Sequence, residues 1–435
     1  QQQQSFGSNP LLGGTAMNQE SQQDGNGEIR FEKDDDTQSI SFSPVLLVNE
    51  NDFQSMTEAS AVANYLASQR VGVGNDNTLT ICFDIGGSTT DISALCELQQ
   101  GTTMIKQNSI RFAAQLVSGA CGKCGDRFKD VLLRTCDEFG LHIEGLNRGE
   151  PRYSDDTAAY YFEQMVDKLD ASQLPTFYNN IKVDCGGLMC VDVYVTGLIL
   201  YYAGILARKL IKQVRASKDC RWDRLPQVYI SFAGKGARIM EWLGVVNRDL
   251  SNQYYEAMFI KGLGMADAQQ FISGIKITFP EHTDDIKFEV SKGLAMMNTQ
   301  LKKPKDSEPI EVIGEEGFFI KDEQGNRVTL DADNKITADM LACLGKEFGG
   351  SSSAGPRFAD FLGLFHQVAQ QYLGTNIRLE DMKRAVGNME LLSFIRNTPD
   401  YLRARQADKF DFVAPILILE GLEFYEDFLL KNIKQ

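Results

Sequence analysis

The chain has 435 residues, 43% apolar and 24% charged, the balance of a globular protein in water with room for two or three compact units. Its formal charge of -15 excludes a surface built to wrap a polyanion, which would concentrate Lys and Arg, so no nucleic-acid partner is expected. No run of eighteen apolar residues occurs, so no membrane span is expected.

Residues 1–4, all Gln, lack an initiator Met and the basic start and apolar centre of a signal peptide, so the chain reads as a segment of a longer protein. Residues 1–41 are rich in Gln, Gly, Ser, Asn and Asp, with the acidic run Asp34-Asp35-Asp36. Such a stretch buries too little apolar surface to offset ordering and predicts a flexible arm or linker. The run at 44–48, P-V-L-L-V, predicts a first strand, and the Ala-rich stretch 56–68 a helix. Strands are expected at 79–84, 90–98 and 102–110, then helices at 126–138, 157–169 and 193–216. A strand at 228–232 leads into A-G-K-G and a helix at 237–243; a strand at 275–279 and a helix at 286–300 follow. From 301 the texture changes. Residues 311–332 predict a β-hairpin around Gln324-Gly325-Asn326, and the remainder is helical apart from G-G-S-S-S-A-G-P at 349–356. No internal repeat is present.

The segment that carries chemistry is D-I-G-G-S-T-T-D, Asp84 to Asp91, set between two strands. Gly86 and Gly87 permit a tight turn and let backbone N–H groups approach phosphate oxygens with no Cβ in the way. Ser88 and Thr89 add hydroxyl donors. Asp84, at a strand end, suits the hydration shell of Mg²⁺, which takes few direct carboxylates and keeps several waters. The alternative reading is an ordinary hairpin turn, in which Asp and Gly are common.

In its order of motifs the sequence resembles the actin-like ATPase superfamily, most closely the nucleotide-binding domain of the heat-shock chaperones. There the second phosphate motif is a D-x-G-G-x-T-x-D hairpin directly after a strand. E-A-S-A-V-A at 58–63 is similar to the family's E-P-T-A-A-A helix start, with Ala59 in place of Pro. C-G-D-R-F-K-D at 124–130 is similar to its G-G-D-x-F-D segment and brings in Gly125. S-F-A-G-K-G-A-R at 231–238 resembles the adenosine motif, in which a strand ends in two glycines; Ala233 stands at the first and Gly234 at the second. E-V-S-K-G-L-A at 289–295 resembles the closing connector helix. The match spans roughly residues 44–300; each motif is weak alone, and their order carries it.

The resemblance implies an α/β fold: a ribonuclease-H-like (actin-like ATPase) lobe with a mixed five-stranded sheet at 42–300, plus a mostly helical extension at 301–435. It implies ATP and Mg²⁺ as cofactors, and hydrolysis by an activated water. Asp84 would hold the hydrated metal, Gly86, Gly87, Ser88 and Thr89 the β- and γ-phosphates, and Glu58 the water. Ala233, Gly234, Lys235 and Gly236 would take the α-phosphate and ribose side. The family's first phosphate motif has no good copy; V-D-C-G-G at 183–187 lacks the following hydroxyl residues. The expected partner is therefore a second lobe of the same protein, upstream. Two further readings stay open: a scaffold that kept the fold and lost turnover, and a sugar-kinase-like phosphotransferase.

Other patterns are weaker. Cys121-x-x-Cys124 has no second Cys or His pair at knuckle spacing, and only folding could bring Cys185 or Cys190 near it. The three histidines, His142, His282 and His366, have no nucleophile or second ligand at motif spacing. Lys302-Lys303-Pro304-Lys305 reads as a solvated turn. The aromatic C-terminus, F-Y-E-D-F-L-L at 424–430, reads as core packing in preference to a partner-binding helix.

Overall fold

Thr78–Ile85 carries five consecutive buried residues, the signature of a strand covered on both faces, and it forms the centre of a five-stranded sheet. The computed structural model describes residues 61, 62, 65, 77–98, 101–149, 153–170, 172–246, 248–264, 268–278, 292, 318–321, 327–330, 335, 336, 356–373, 377–398 and 414–432. The chain divides into two compact units, Gln1–Ser55 and Met56–Gln435. The expected arm and the strand at 44–48 lie outside the described residues, and so does most of the expected helix at 286–300.

The sheet is mixed. Strand β1 (Thr78–Ile85) pairs antiparallel with β2 (Thr90–Leu98), and β2 antiparallel with β3 (Gly101–Ile110). On its other side β1 runs parallel to β4 (Gln227–Ala233), which runs parallel to β5 (Gly274–Thr278), giving the order β3-β2-β1-β4-β5. The two parallel neighbours require long crossovers, and helices supply them.

Between β3 and β4 lie α1 (Gln115–Ala120), a 3₁₀ turn at Cys121–Cys124, α2 (Asp126–Phe139), α3 (Asp155–Lys168), α4 (Leu174–Asp184) and the long α5 (Gly186–Ala216). Local signals bound them. Gly140 ends α2 in the left-handed region (φ 61°), where glycine carries no Cβ penalty. The Ser154 hydroxyl caps α3 by accepting from the Thr157 N–H at 3.2 Å. Pro175 sits in the first turn of α4. After β4 follow a 3₁₀ turn at Lys235–Arg238, α6 (Ile239–Val246) and α7 (Arg248–Leu263).

Helix α5 has the length and mean hydropathy of a membrane span, yet its apolar window is wholly buried by this protein's own elements. It contacts β1, α4, α6 and α7. At its crossing with α7 the backbones touch: a Cβ on Gly204 would meet the Leu263 amide nitrogen at 2.6 Å, and one on Gly262 would overlap the Tyr201 carbonyl.

Beyond residue 301, β6 (Phe318–Lys321) and β7 (Arg327–Leu330) form the antiparallel pair expected there, and β8 (Lys335–Ile336) pairs with β9 (Ala414–Pro415). Helices α8 (Pro356–Leu373), α9 (Leu379–Gly387), α10 (Leu391–Asn397) and α11 (Ile416–Phe424) follow the hairpin, β9 leading into α11. Helices α8 and α11 share the core of α5. Tyr194 on α5 packs against Phe361, Phe365 and Phe424 at ring separations of 5.5, 5.3 and 5.7 Å, and its hydroxyl donates to the Gly421 carbonyl at 2.8 Å. Each aromatic pair adds about 1 kcal/mol beyond the area it buries. Phe424, Tyr425 and Leu429 are buried, which makes the aromatic C-terminus core.

Candidate functional site

The β1–β2 turn is the D-I-G-G-S-T-T-D segment. The register sets Ile85 opposite Thr90 and Asp84 opposite Asp91, leaving Gly86, Gly87, Ser88 and Thr89 as the turn. The Gly86 N–H closes it by donating to the Thr89 carbonyl at 2.8 Å, so that amide serves the turn and not an outside ligand. The turn's own carbonyls are also occupied. Gly87 O accepts from the Gln115 N–H at 2.7 Å and Gly86 O from the Ala114 N–H at 3.4 Å, which ties the start of α1 to the hairpin. The Thr90 hydroxyl donates to the Phe112 carbonyl at 2.8 Å and fixes the chain leaving β3 against the same spot.

Gly87 and Ser88 form the exposed tip. Neither Gly86 nor Gly87 has a left-handed φ. A Cβ on Gly86 would crowd the Thr89 carbonyl at 3.1 Å, whereas one on Gly87 meets open space. The turn therefore gives an internal reason for the first glycine and none for the second.

Folding brings the loop after β4 onto this hairpin. Ala233 pairs with Asp84 in the parallel register and is fully buried. Gly234 has φ 78° and ψ 158°, a conformation open essentially to glycine alone. A Cβ there would overlap the Asp84 carboxylate and lie 2.7 Å from the Ile85 carbonyl. A Cβ on Gly236 would overlap the Gly86 carbonyl. Both glycines are thus required so that the two loops can touch.

Two acidic side chains share one face here. Directly opposed residues of an antiparallel pair project to the same side, with Cβ atoms about 5 Å apart, and like charges so placed repel. Asp84 and Asp91 are such a pair, both half-buried. Asp91 closes the same motif but does not figure among the expected site residues; its signal was the fixed separation across a four-residue turn. Among the described residues no group of three or more His, Cys, Asp or Glu could hold a metal by itself. Two carboxylates suit a cation that keeps most of its waters, as Mg²⁺ does.

The remaining expected residues fall elsewhere or outside. Lys235 is half-exposed and its ammonium pairs with Asp167 on α3, where Arg238 also approaches at 3.9 Å. Gly125 (φ 60°, ψ -135°) starts α2 and is separated from the hairpin by α1 and the 3₁₀ turn. Glu58 lies outside the described residues; Ala61, Val62 and Tyr65, just beyond it, are helical, and the Lys292 ammonium lies 5.4 Å from the Tyr65 ring centre. The stretch 183–187 is a helix junction, ending α4 and opening α5, with Asp184 paired to Arg134. His366 is a buried residue of α8. No protein-family model matches this chain, and no curated protein matches it in sequence.

Proposed function

We propose that the β1–β2 hairpin and the loop after β4 form the phosphate and Mg²⁺ grip of an actin-like ATP-binding lobe with a ribonuclease-H-like sheet. The observation that carries this reading is the meeting of two glycine loops far apart in sequence, with Asp84 at their junction. A mixed five-stranded sheet flanked by helices is what the sequence resemblance implies, and the hairpin follows a strand as the family's second phosphate motif does.

In this reading the exposed tip at Gly87 and Ser88 receives phosphate oxygens on backbone N–H groups, and Gly87 is the residue whose missing side chain makes room. Asp84 and Asp91 hold the metal's water shell. Mg²⁺, when bound, neutralises phosphate charge and lowers the repulsion between the two carboxylates. Phosphoryl transfer rests mainly on positioning and charge neutralisation, so turnover also needs the partner lobe that the resemblance implies. Hydrolysis, the role of Glu58 and a cytoplasmic setting belong to the same proposal.

A second reading, a scaffold that binds nucleotide without turnover, is favoured by two observations. Ala233 is fully buried where the family carries a glycine, and Lys235 is engaged by Asp167. Phosphate release measured with and without nucleotide binding separates the two.

The deciding experiment is calorimetric titration of ATP, with and without Mg²⁺, into the full chain and its Asp84→Asn variant. The expected result is weak Mg-dependent binding that Asp84→Asn abolishes, since asparagine keeps the size and shape of the side chain at this strand position and removes the charge. Equal affinity in the two, or no binding by the parent chain, overturns the assignment.

A further inference from the structure

The C-terminal helix lies outside every motif the nucleotide reading uses, yet one of its faces rests on the segment that carries the hairpin. Gly421 in α11 and Tyr425, which opens the π turn Tyr425–Leu429, are four residues apart and share a helix face. Both are buried. The chain they face is the stretch 112–116, which joins β3 to α1. A Cβ on Gly421 would lie 3.3 Å from the Phe112 ring. The Tyr425 hydroxyl donates to the Leu116 carbonyl at 2.5 Å.

Each of these contacts continues to the hairpin. The Phe112 carbonyl accepts from the Thr90 hydroxyl at 2.8 Å. Next to Leu116, the Gln115 N–H holds the Gly87 carbonyl at 2.7 Å, and the Ala114 N–H holds the Gly86 carbonyl at 3.4 Å. Ala114 also borders the loop after β4, since a Cβ on Gly236 would lie 3.0 Å from the Ala114 Cβ. Residues 112–116 are thus clamped between the turn and the C-terminal helix.

The clamp decides where the tip's donors point. In a trans peptide the carbonyl and the N–H of the next residue lie in one plane and point in opposite directions. Holding the Gly86 and Gly87 carbonyls on α1 therefore turns the Gly87 and Ser88 N–H groups away from α1. Those are the amides at the exposed tip.

We propose that Tyr425 is a positioning residue for the hairpin: through Leu116 it seats the start of α1, and α1 aims the Gly87 and Ser88 N–H groups. The C-terminal helix is thereby coupled to the tip, and by linkage a ligand held on those amides favours the seated Tyr425. The positioning concerns the turn itself; its effect on Mg-ATP rests on the proposed phosphate reading.

The test compares the full chain with Tyr425→Phe, which keeps the buried ring and loses only the hydroxyl. Tyr254→Phe is the control, because that hydroxyl also donates to the carbonyl of a buried residue, Val193 at 2.8 Å, on α5 instead of α1. Hydrogen–deuterium exchange is read by mass spectrometry on peptides covering residues 113–118 and 79–85. In Tyr425→Phe the first peptide should exchange several-fold faster and the second at the parental rate; in Tyr254→Phe the first should stay parental. Calorimetric titration with Mg-ATP should show affinity falling several-fold in Tyr425→Phe and unchanged in Tyr254→Phe. If the parent chain takes up no Mg-ATP, the phosphate reading fails and exchange alone decides the positioning. Unchanged exchange at 113–118 in Tyr425→Phe, equal acceleration at 79–85, or the same acceleration at 113–118 in Tyr254→Phe overturns the proposal. So does unchanged affinity of Tyr425→Phe when the parent binds Mg-ATP.

Discussion

At the crossing of α5 and α7 a Cβ on Gly262 would run into the Tyr201 carbonyl, while at the tip of the β1–β2 turn a Cβ on Gly87 meets open space. The first glycine lies in a core of aromatic rings and tightly crossed backbones; the second stands in the exposed turn that ends the central strand, between Gly86 and Ser88. The same residue type answers to helix packing in one place and, in the proposed reading, to a ligand in the other. The two regions differ again in how they treat charge. Asp192 is buried in α5 with neither carboxylate oxygen hydrogen-bonded, whereas Asp84 and Asp91 are half-buried side by side at a surface turn.

The contrast is open to attack from its strongest side first. Gly262→Ala forces two helix backbones apart, and overpacking of this kind should cost about 3 kcal/mol. Urea unfolding measures it, and a variant as stable as the parent would remove the close crossing from the description of the core.

The next effect is pH-dependent. Burial pushes the Asp192 carboxyl well above the ordinary carboxylate range, so the folded state holds a proton that the unfolded state releases. Stability should then fall as pH rises above the unfolded value, with a slope of about 1.4 kcal/mol per pH unit for one proton. Asp192→Asn should abolish that slope and unfold at higher temperature than the parent at neutral pH. Melting curves across a pH series check both expectations.

Glu423 is a smaller case of the same sign. Burial pushes its carboxyl up from 4.5 to about 7, although the Glu390 N–H, donating at 2.6 Å, works the other way. Its destabilising contribution should grow as pH rises from about 4.5 to 7 and stay constant above. Glu423→Gln keeps an acceptor for that N–H and should flatten the dependence within this window. An unchanged pH profile in the variant would show that the glutamate titrates normally.

The smallest expected change in stability is at the hairpin. Gly87→Val should shift unfolding by no more than about 0.5 kcal/mol, because its Cβ meets nothing and its φ is not left-handed. The same variant should lose Mg-ATP binding in the proposed reading. Large destabilisation would mean that the glycine serves the fold after all.

Much of the molecule was legible in advance because its signals are local. The apolar run at 79–84 became β1, the hairpin around 324–326 appears as β6 and β7, and the strand before A-G-K-G is β4. The helix expected at 126–138 is Asp126–Phe139, and that at 157–169 is Asp155–Lys168. Helix α5 begins seven residues before the expected 193, since its first two turns are as apolar as the rest and carry no boundary signal beyond two glycines. Helices α1, α4 and α7 were not expected. The first is one and a half turns long, too short to show a periodicity. Helix α4 carries in its first turn a Pro that also reads as a turn signal, and α7 mixes its buried aromatics with polar neighbours.

What the sequence by itself determined was the chemistry available: an Asp-Gly-Gly-Ser-Thr turn between two strands, and a strand ending in alanine and glycine. Turns and strands follow from residues within a few positions of one another, so their identities are written locally. Only the tertiary structure decided which of these pieces meet. It set Gly234 and Gly236 against Asp84 and Gly86, placed Asp91 across from Asp84, and turned Lys235 toward Asp167. Those encounters depend on sheet order and on helices crossing over distances of many residues. They are fixed by the burial of apolar surface across the whole core, a property that no short window of sequence contains.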